Sequence, residues 1–408
     1  MAVTIPARPI GAGARSPARV SSRSRERVVV GWSALSLTML SIVILLTVVG
    51  LVFVASASSV TSLHRYGTSW HYFRRQVQWV VIGMAAMVIT TLLPYRIWQR
   101  LAPWIFGVGI VGTLVTLSPL GVTKNGASRW IGSASLQLQP TEFLKFGVLL
   151  ALAGLFVFRA DRIDDTRQTL RPGILVVVPS LVLVMLQPDM GTAIMIFVIA
   201  ASLFGVSGMS KERLAKLGVG AAVVTLLIAW IEPYRRDRML AFLHPTRDVS
   251  GIGYHVFQSK LGFASGRLFG VGVGASRAKW GFLPNSFTDF IYAIIGEELG
   301  LVGAVTVLLL FLSIAILGLR VARRAPDRFG MLLATGVTSW IVGQAVINIG
   351  AVIGAMPVTG IPLPFISAGG SSFVVVTAAA GVLINVARHG RRPVRPEGSR
   401  AERRTQPA

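Results

Sequence analysis

The sequence predicts an all-α integral membrane protein of about ten transmembrane helices, with one large extracellular loop between helices 7 and 8. Three observations carry this expectation. Of the 408 residues 53% are apolar and only 14% are charged, well below the quarter or so found in soluble domains. The apolar residues fall in runs close to the roughly 20 that an α-helix needs to cross a bilayer. The Lys and Arg residues cluster in short segments between those runs, as they do where loops are sorted by charge. A net charge of +24 on a soluble chain would point to nucleic acid, but this distribution argues against such a partner. There is no cysteine, which excludes disulfide and thiolate chemistry and leaves the redox compartment open.

The elements follow in order. An Arg-rich stretch from residue 8 to 27 precedes the apolar run from Val28 to Ala55. That run is far longer than the roughly 7 to 15 residues of a signal peptide, so it is read as a retained first helix. Helices are expected at about 33–57, 76–94, 102–121, 141–159, 173–187, 190–208, 214–232, 289–319, 329–356 and 369–387. An even number of spans puts both ends on one side. With those ends in the cytoplasm, 26 of the 40 Lys and Arg residues lie inside and 13 outside, eight of the latter in one long loop. Long loops weigh little in the charge rule. The chain therefore divides into an Arg-rich, disordered cytoplasmic arm (1–30), a membrane domain (31–388) with its extracellular loop at about 233–288, and a basic, disordered cytoplasmic tail (389–408). Arm and tail suit attraction to anionic lipid. The long loop is apolar enough to argue against disorder, with Val256, Leu261 and Phe263 in an amphipathic stretch, and is expected to cover the outer mouth of the bundle. No internal repeat is visible, which weakens an inverted-repeat transporter reading.

Charges at membrane depth cost about 2.5–3.5 kcal/mol each on insertion scales, so they mark candidate sites. Glu142 and Lys145 are three apart on one helix face and can neutralise each other. Asp189, in Gln187-Pro188-Asp189-Met190-Gly191-Thr192, can cap a helix. Glu297 and Glu298 sit beside Gly296 and Gly300, where close helix contact favours buried hydrogen bonding. Asp289 stands where the outer loop re-enters the membrane. Capping would account for it, but its neighbours in the loop include Arg235, Arg236, Arg238, Lys260, Arg267, Arg277 and Lys279 and few carboxylates. A lone carboxylate among cations suits a general base acting on a substrate whose anionic group those cations hold. A diphosphate on a lipid carrier is one such substrate. The stretch from Pro357 to Phe365 breaks the helical pattern, and such backbone is tolerated at depth only where protein buries it or it lines a cavity. Gly369-Gly370-Ser371-Ser372 after it offers amides and hydroxyls to an anion.

Taken together, Gln139-Pro140-Thr141-Glu142-Phe143-Leu144-Lys145, Gln187 to Thr192, Gly253-Tyr254 with Gln258-Ser259-Lys260, Leu283-Pro284 with Thr288-Asp289-Phe290-Ile291, Gly296-Glu297-Glu298-Leu299-Gly300 and Pro362-Leu363-Pro364-Phe365-Ile366-Ser367 resemble the SEDS family of FtsW, RodA and SpoVE. The resemblance spans about residues 33 to 388. It implies a ten-helix, inverting membrane glycosyltransferase of the bacterial cell membrane that polymerises lipid II into peptidoglycan. It also implies a class B penicillin-binding protein and other divisome membrane proteins as partners. The family's essential aspartate falls on Asp289, and other functional positions fall on Arg129, Trp130, Gln139, Glu142, Lys145 and Asp189. Arg238, Gln258, Lys260, Ser367, Gly369, Gly370 and Ser371 complete the candidate substrate-binding set. Ser367-Ala368-Gly369-Gly370 and Asn385 to His389 are similar to the division-type members of actinobacteria, which places the protein at the septum; the elongation type is the alternative. Phe287 stands where many members have His, so no proton relay is drawn there, and Thr359 stands where some have Lys. No cofactor is assigned; no metal-ligand spacing is visible, and a divalent cation such as Mg or Mn stays open. Two rival readings are a lipid II flippase using Glu142, Lys145 and Asp189 as a charged path, and a divisome scaffold without chemistry.

Overall fold

The structure is a computed structural model that describes residues 27–28, 31–124, 127–133, 137–220, 242 and 252–392. Helix α1, Ala34–Tyr66, opens on a capping box between Ser33 and Ser36 and closes at Gly67 in the left-handed conformation. It runs past the expected end at residue 57 because its serines do not interrupt it. Ser59 donates back to the carbonyl of Ser56 at 2.8 Å, and Ser58 and Ser62 are buried against the bundle. α2 (His71–Leu92) and α3 (Ile97–Thr116) follow.

Between α3 and α4, where no element was expected, β2 (Val122–Lys124), β3 (Ala127–Gly132) and β4 (Gln137–Leu138) form a small antiparallel sheet. Its strands are too short for period-two patterning to stand out. α4 (Pro140–Phe158) then starts with proline in its first turn, where a missing amide hydrogen costs nothing. A single 3₁₀ turn (Ala160–Arg162) and a π turn (Thr166–Leu170) lead to α5 (Arg171–Leu186) and α6 (Met190–Val206). Residues 211–220 are helical and form α7; the rest of the helix expected to 232 lies outside the described residues. The amphipathic stretch of the long loop is helix α8, Ile252–Gly266. It packs on α9 (Ile291–Arg324) and α10 (Arg328–Val352), and α11 (Ser371–Arg388) closes the bundle.

Seven of the described helical segments are long and apolar enough to cross a membrane, and α6 is apolar but shorter, at 17 residues. α4, α10 and α11 are mostly buried and form the centre, while α2, α5 and α9 turn many apolar side chains outward. Among the tightest pairings is α3 on α4. A Cβ on Gly109 would stand 2.7 Å from the Cα of Leu144, and one on Gly147 2.7 Å from the Cα of Phe106. Such small-residue contacts let helices approach where lipid supplies no hydrophobic drive. At one end of the bundle β1 (Arg27–Val28) pairs antiparallel with β5 (Arg391–Arg392). The first and last described segments therefore lie at the same face.

Candidate active site

At the opposite face from β1 and β5, residues 353–370 connect α10 to α11 without helix. Pro357, Pro362 and Pro364 remove amide donors, so this segment cannot satisfy itself. Side chains hold it instead. Asn348 donates to the carbonyls of Asp289 and Ile361, both at 2.7 Å, and Gln344 donates to that of Pro362 at 2.8 Å. The Ser367 hydroxyl accepts from the amide of Leu363 at 2.8 Å and donates to the carbonyl of Thr288. The amide of Ala368 donates to the carbonyl of Phe287 at 3.0 Å. Buried Phe365 takes φ 64°, a strained conformation for a bulky residue. The break is thus stitched to 287–289, and Ser367, a candidate substrate contact, spends its hydroxyl on backbone.

Asp289 lies one residue before the N-cap position of α9, which is Phe290. The carboxylate is partly exposed and faces Gly360; a Cβ there would stand 3.7 Å from Oδ2. The cleft between them is lined by Asp289, Asn348, Thr359, Gly360 and Ile361 among others. Two of its lining side chains, Thr359 through Oγ1 and Asn348 through Oδ1, carry buried oxygens without a hydrogen-bond partner. Buried polar groups are nearly always satisfied, so these two open oxygens mark a place for a water or an incoming hydroxyl.

A second cluster abuts the first. Asp189 caps α6, accepting from the amide of Thr192 at 3.1 Å, its hydroxyl at 2.9 Å and Gln139 Nε2 at 3.3 Å. Arg129, on β3, comes within 3.8 Å of Asp189 and donates to the carbonyls of Gln187, at 3.1 Å, and Pro188. Trp130 beside it pairs with Val122 across the sheet. The amide of Gln139 donates to Ser371 Oγ at 3.0 Å, tying α4 to the start of α11. Gly370 is the N-cap of α11, at φ 48° and without a side-chain cap, and Gly369 precedes it. The two clusters share the break: a Cβ on Gly191 would stand 2.6 Å from Ile361 Cγ1 and 3.0 Å from the Thr359 carbonyl.

The remaining candidates divide. Glu142 and Lys145 form a 2.9 Å ion pair, both about 2–3% exposed, with Lys145 5.1 Å from the centre of the Trp340 ring. Mutual neutralisation is the arrangement seen, although Glu142 keeps one buried oxygen without a partner. Glu297 accepts from the Ser276 hydroxyl, the amide of Arg277 at 2.9 Å and that of Ala278 at 3.3 Å. Glu298 accepts from the Ser56 hydroxyl at 2.6 Å and lies 3.6 Å from Lys279. These two carboxylates peg the outer loop to the helices, as their glycine-rich setting implied. Lys260 is exposed on α8 with Nζ against Gly354, and its neighbour Ser259 donates to the Val352 carbonyl at 2.7 Å. Gln258, half-buried on α8, does not line the cleft. Arg238 lies outside the described residues.

Sequence reasoning missed Asn348, Gln344 and Thr359 as site residues. The first two sit four apart in an otherwise apolar helix and so share a face, which was a usable signal.

Fold and site together define a multi-pass membrane protein whose polar and charged residues converge beneath a broken helical connection at one face. Residues 36–392 match the FtsW, RodA and SpoVE family model described as "Cell cycle protein". The chain is 37% identical over 351 residues to a probable peptidoglycan glycosyltransferase FtsW of Mycobacterium tuberculosis, covering 86% of this chain and 67% of that one. It is 35% identical to the stage V sporulation protein E of Bacillus subtilis, covering 87% of this chain and 97% of the relative. Among solved structures it superposes on a chain of a peptidoglycan synthase complex that coordinates polymerization and crosslinking (TM-score 0.69, 27% identity, 88% and 98% covered). It also superposes on the rod shape determining protein RodA of Thermus thermophilus (TM-score 0.64, 27% identity, 88% and 98% covered). The chain belongs to the FtsW, RodA and SpoVE family of membrane proteins.

Proposed function

We propose that this chain is a peptidoglycan glycosyltransferase that polymerises lipid II during septal cell-wall synthesis, with Asp289 as its general base. The observation that carries this is the carboxylate of Asp289 in a cleft with two unpartnered buried oxygens, on the face opposite β1 and β5. In this reading Asp289 takes the proton from the sugar 4-hydroxyl of an acceptor lipid II, and that oxygen attacks the anomeric carbon of the donor chain. Inversion follows from the single displacement. The departing diphosphate needs positive charge held in place. Lys260, exposed on α8, is the more open cation for that role, whereas Arg129 is engaged by Asp189 and two carbonyls and Lys145 by Glu142. Among the described residues no three His, Asp or Glu side chains gather in a way that could hold a metal ion. No step is routed through an ion.

The names of the FtsW relatives support the division role, and the likeness to a synthase complex supports a class B penicillin-binding protein as partner. Both ends are assigned to the cytoplasm by their positive charge, which puts the Asp289 cleft outside. The test uses purified protein, its cognate transpeptidase and labelled lipid II. The wild type should yield glycan polymer. Asp289→Asn, similar in size but not basic, should lose about 10²- to 10⁴-fold in rate at unchanged thermal stability. Near-wild-type polymerisation by the Asn variant would show the base to be elsewhere. No polymer from the wild type would leave the flippase or scaffold reading.

A further inference from the structure

α9 changes character at Gly300. From Ile291 to Glu298 every residue is buried, and from Leu301 onward the helix alternates buried positions with outward ones, including Leu301, Val302, Val305, Leu308, Leu309 and Leu312. The stretch from 301 to 319 is uncharged and ends at Arg320; at 1.5 Å per residue it matches the roughly 30 Å hydrocarbon layer. Gly300, at φ 68° and ψ −164°, therefore marks the boundary between lipid and the outer interface.

Loop residues 267–272 are bonded to the chain at that boundary. The amides of Leu301 and Val302 donate to the carbonyls of Arg267 (2.9 Å) and Leu268 (3.1 Å). The amides of Val271 and Gly272 donate to the carbonyls of Glu297 (3.0 Å) and Glu298 (3.1 Å). The loop's backbone is satisfied by protein while its side chains turn outward and apolar: Leu268 is 57%, Phe269 81% and Val273 59% exposed. They continue the lipid-facing surface of α9, and exposed Arg267 and Arg277 flank them.

We propose that residues 267–273 insert into the outer leaflet, Phe269 foremost, with Arg267 and Arg277 at the phosphate level. Water exposure of such a patch is rare in soluble surfaces, whereas aromatic and basic side chains are enriched at this depth of a membrane. The occupant is lipid, on the continuity with α9. The inference is independent of the enzyme reading, because its test needs no substrate.

The absence of native cysteine allows single spin labels on the full chain in nanodiscs. Phe269→Cys and Val271→Cys would be compared with Leu309→Cys on the lipid-facing side of α9 and Glu212→Cys, whose side chain is 77% exposed. Collision rates with oxygen and with a water-soluble nickel chelate give depth. Labels at 269 and 271 should favour oxygen, as at 309. Preference for the chelate, as at 212, would overturn the proposal and leave the patch free for a protein partner. Protection from both reagents would overturn it too, by showing the patch covered by protein.

Discussion

Lys145 and Glu142 are a buried pair whose members depend on each other. Lys145→Ala should destabilise the protein by about 3–5 kcal/mol, because it strands a carboxylate away from water. Adding Glu142→Gln should recover part of that loss, as read by thermal unfolding of the single and double variants in detergent. Additive losses would instead mean that the two residues act separately. These residues, like Asp189 and Asp289, stood out in the sequence because a charge at membrane depth is costly, although neutralisation or capping could account for each. Asn348 did not, since a neutral amide in a helix raises no such alarm. Its role became visible only when the Asp289 and Ile361 carbonyls appeared within reach of one side chain.

Most of the described helices could be read from their apolar runs, within several residues at the ends; α1 runs nine residues further than expected. What escaped were features set by contacts distant in sequence: the sheet at 122–138 and the interruption of α9. Gly300→Ala would place a Cβ 2.4 Å from the Gly270 amide nitrogen at a backbone conformation closed to alanine. The variant should lose at least ~1–3 kcal/mol and free the 267–272 loop, measured as a lower unfolding temperature and faster proteolysis there. Equal stability would mean that the break is not required. The corner between α2 and α3 offers a pH test. The Tyr95 hydroxyl donates to Asp327 at 2.7 Å, and burial, followed by that bond, pushes its pKa from 10.0 up to about 12. A raised pKa means that the folded state favours the protonated form. Its contribution is complete below pH 10 and disappears as pH climbs toward about 12. Tyr95→Phe should therefore show a shallower alkaline loss of stability than wild type in this window; identical slopes would refute the coupling.

For the molecule as a whole, the expected topology is an even number of spans with both ends inside. A reporter fused after Arg392 should read cytoplasmic, and one inserted near Asp248 exterior; a cytoplasmic signal at Asp248 would sink the ten-helix arrangement. Charge counting gives that expectation, but it could not foresee that Arg27 aligns with Arg392 and Val28 with Arg391. With the two flanks side by side, the membrane domain is close to a closed ring. Chain order is then separable from architecture. Residues 28 and 391 could be joined by a short linker and the chain reopened at the exposed turn around Asp164 and Asp165, which lies on the same face. Such rearrangement is tolerated where ends lie close together and the new opening is at the surface. The same bundle, in the same orientation, would be reached from a sequence that starts at α5.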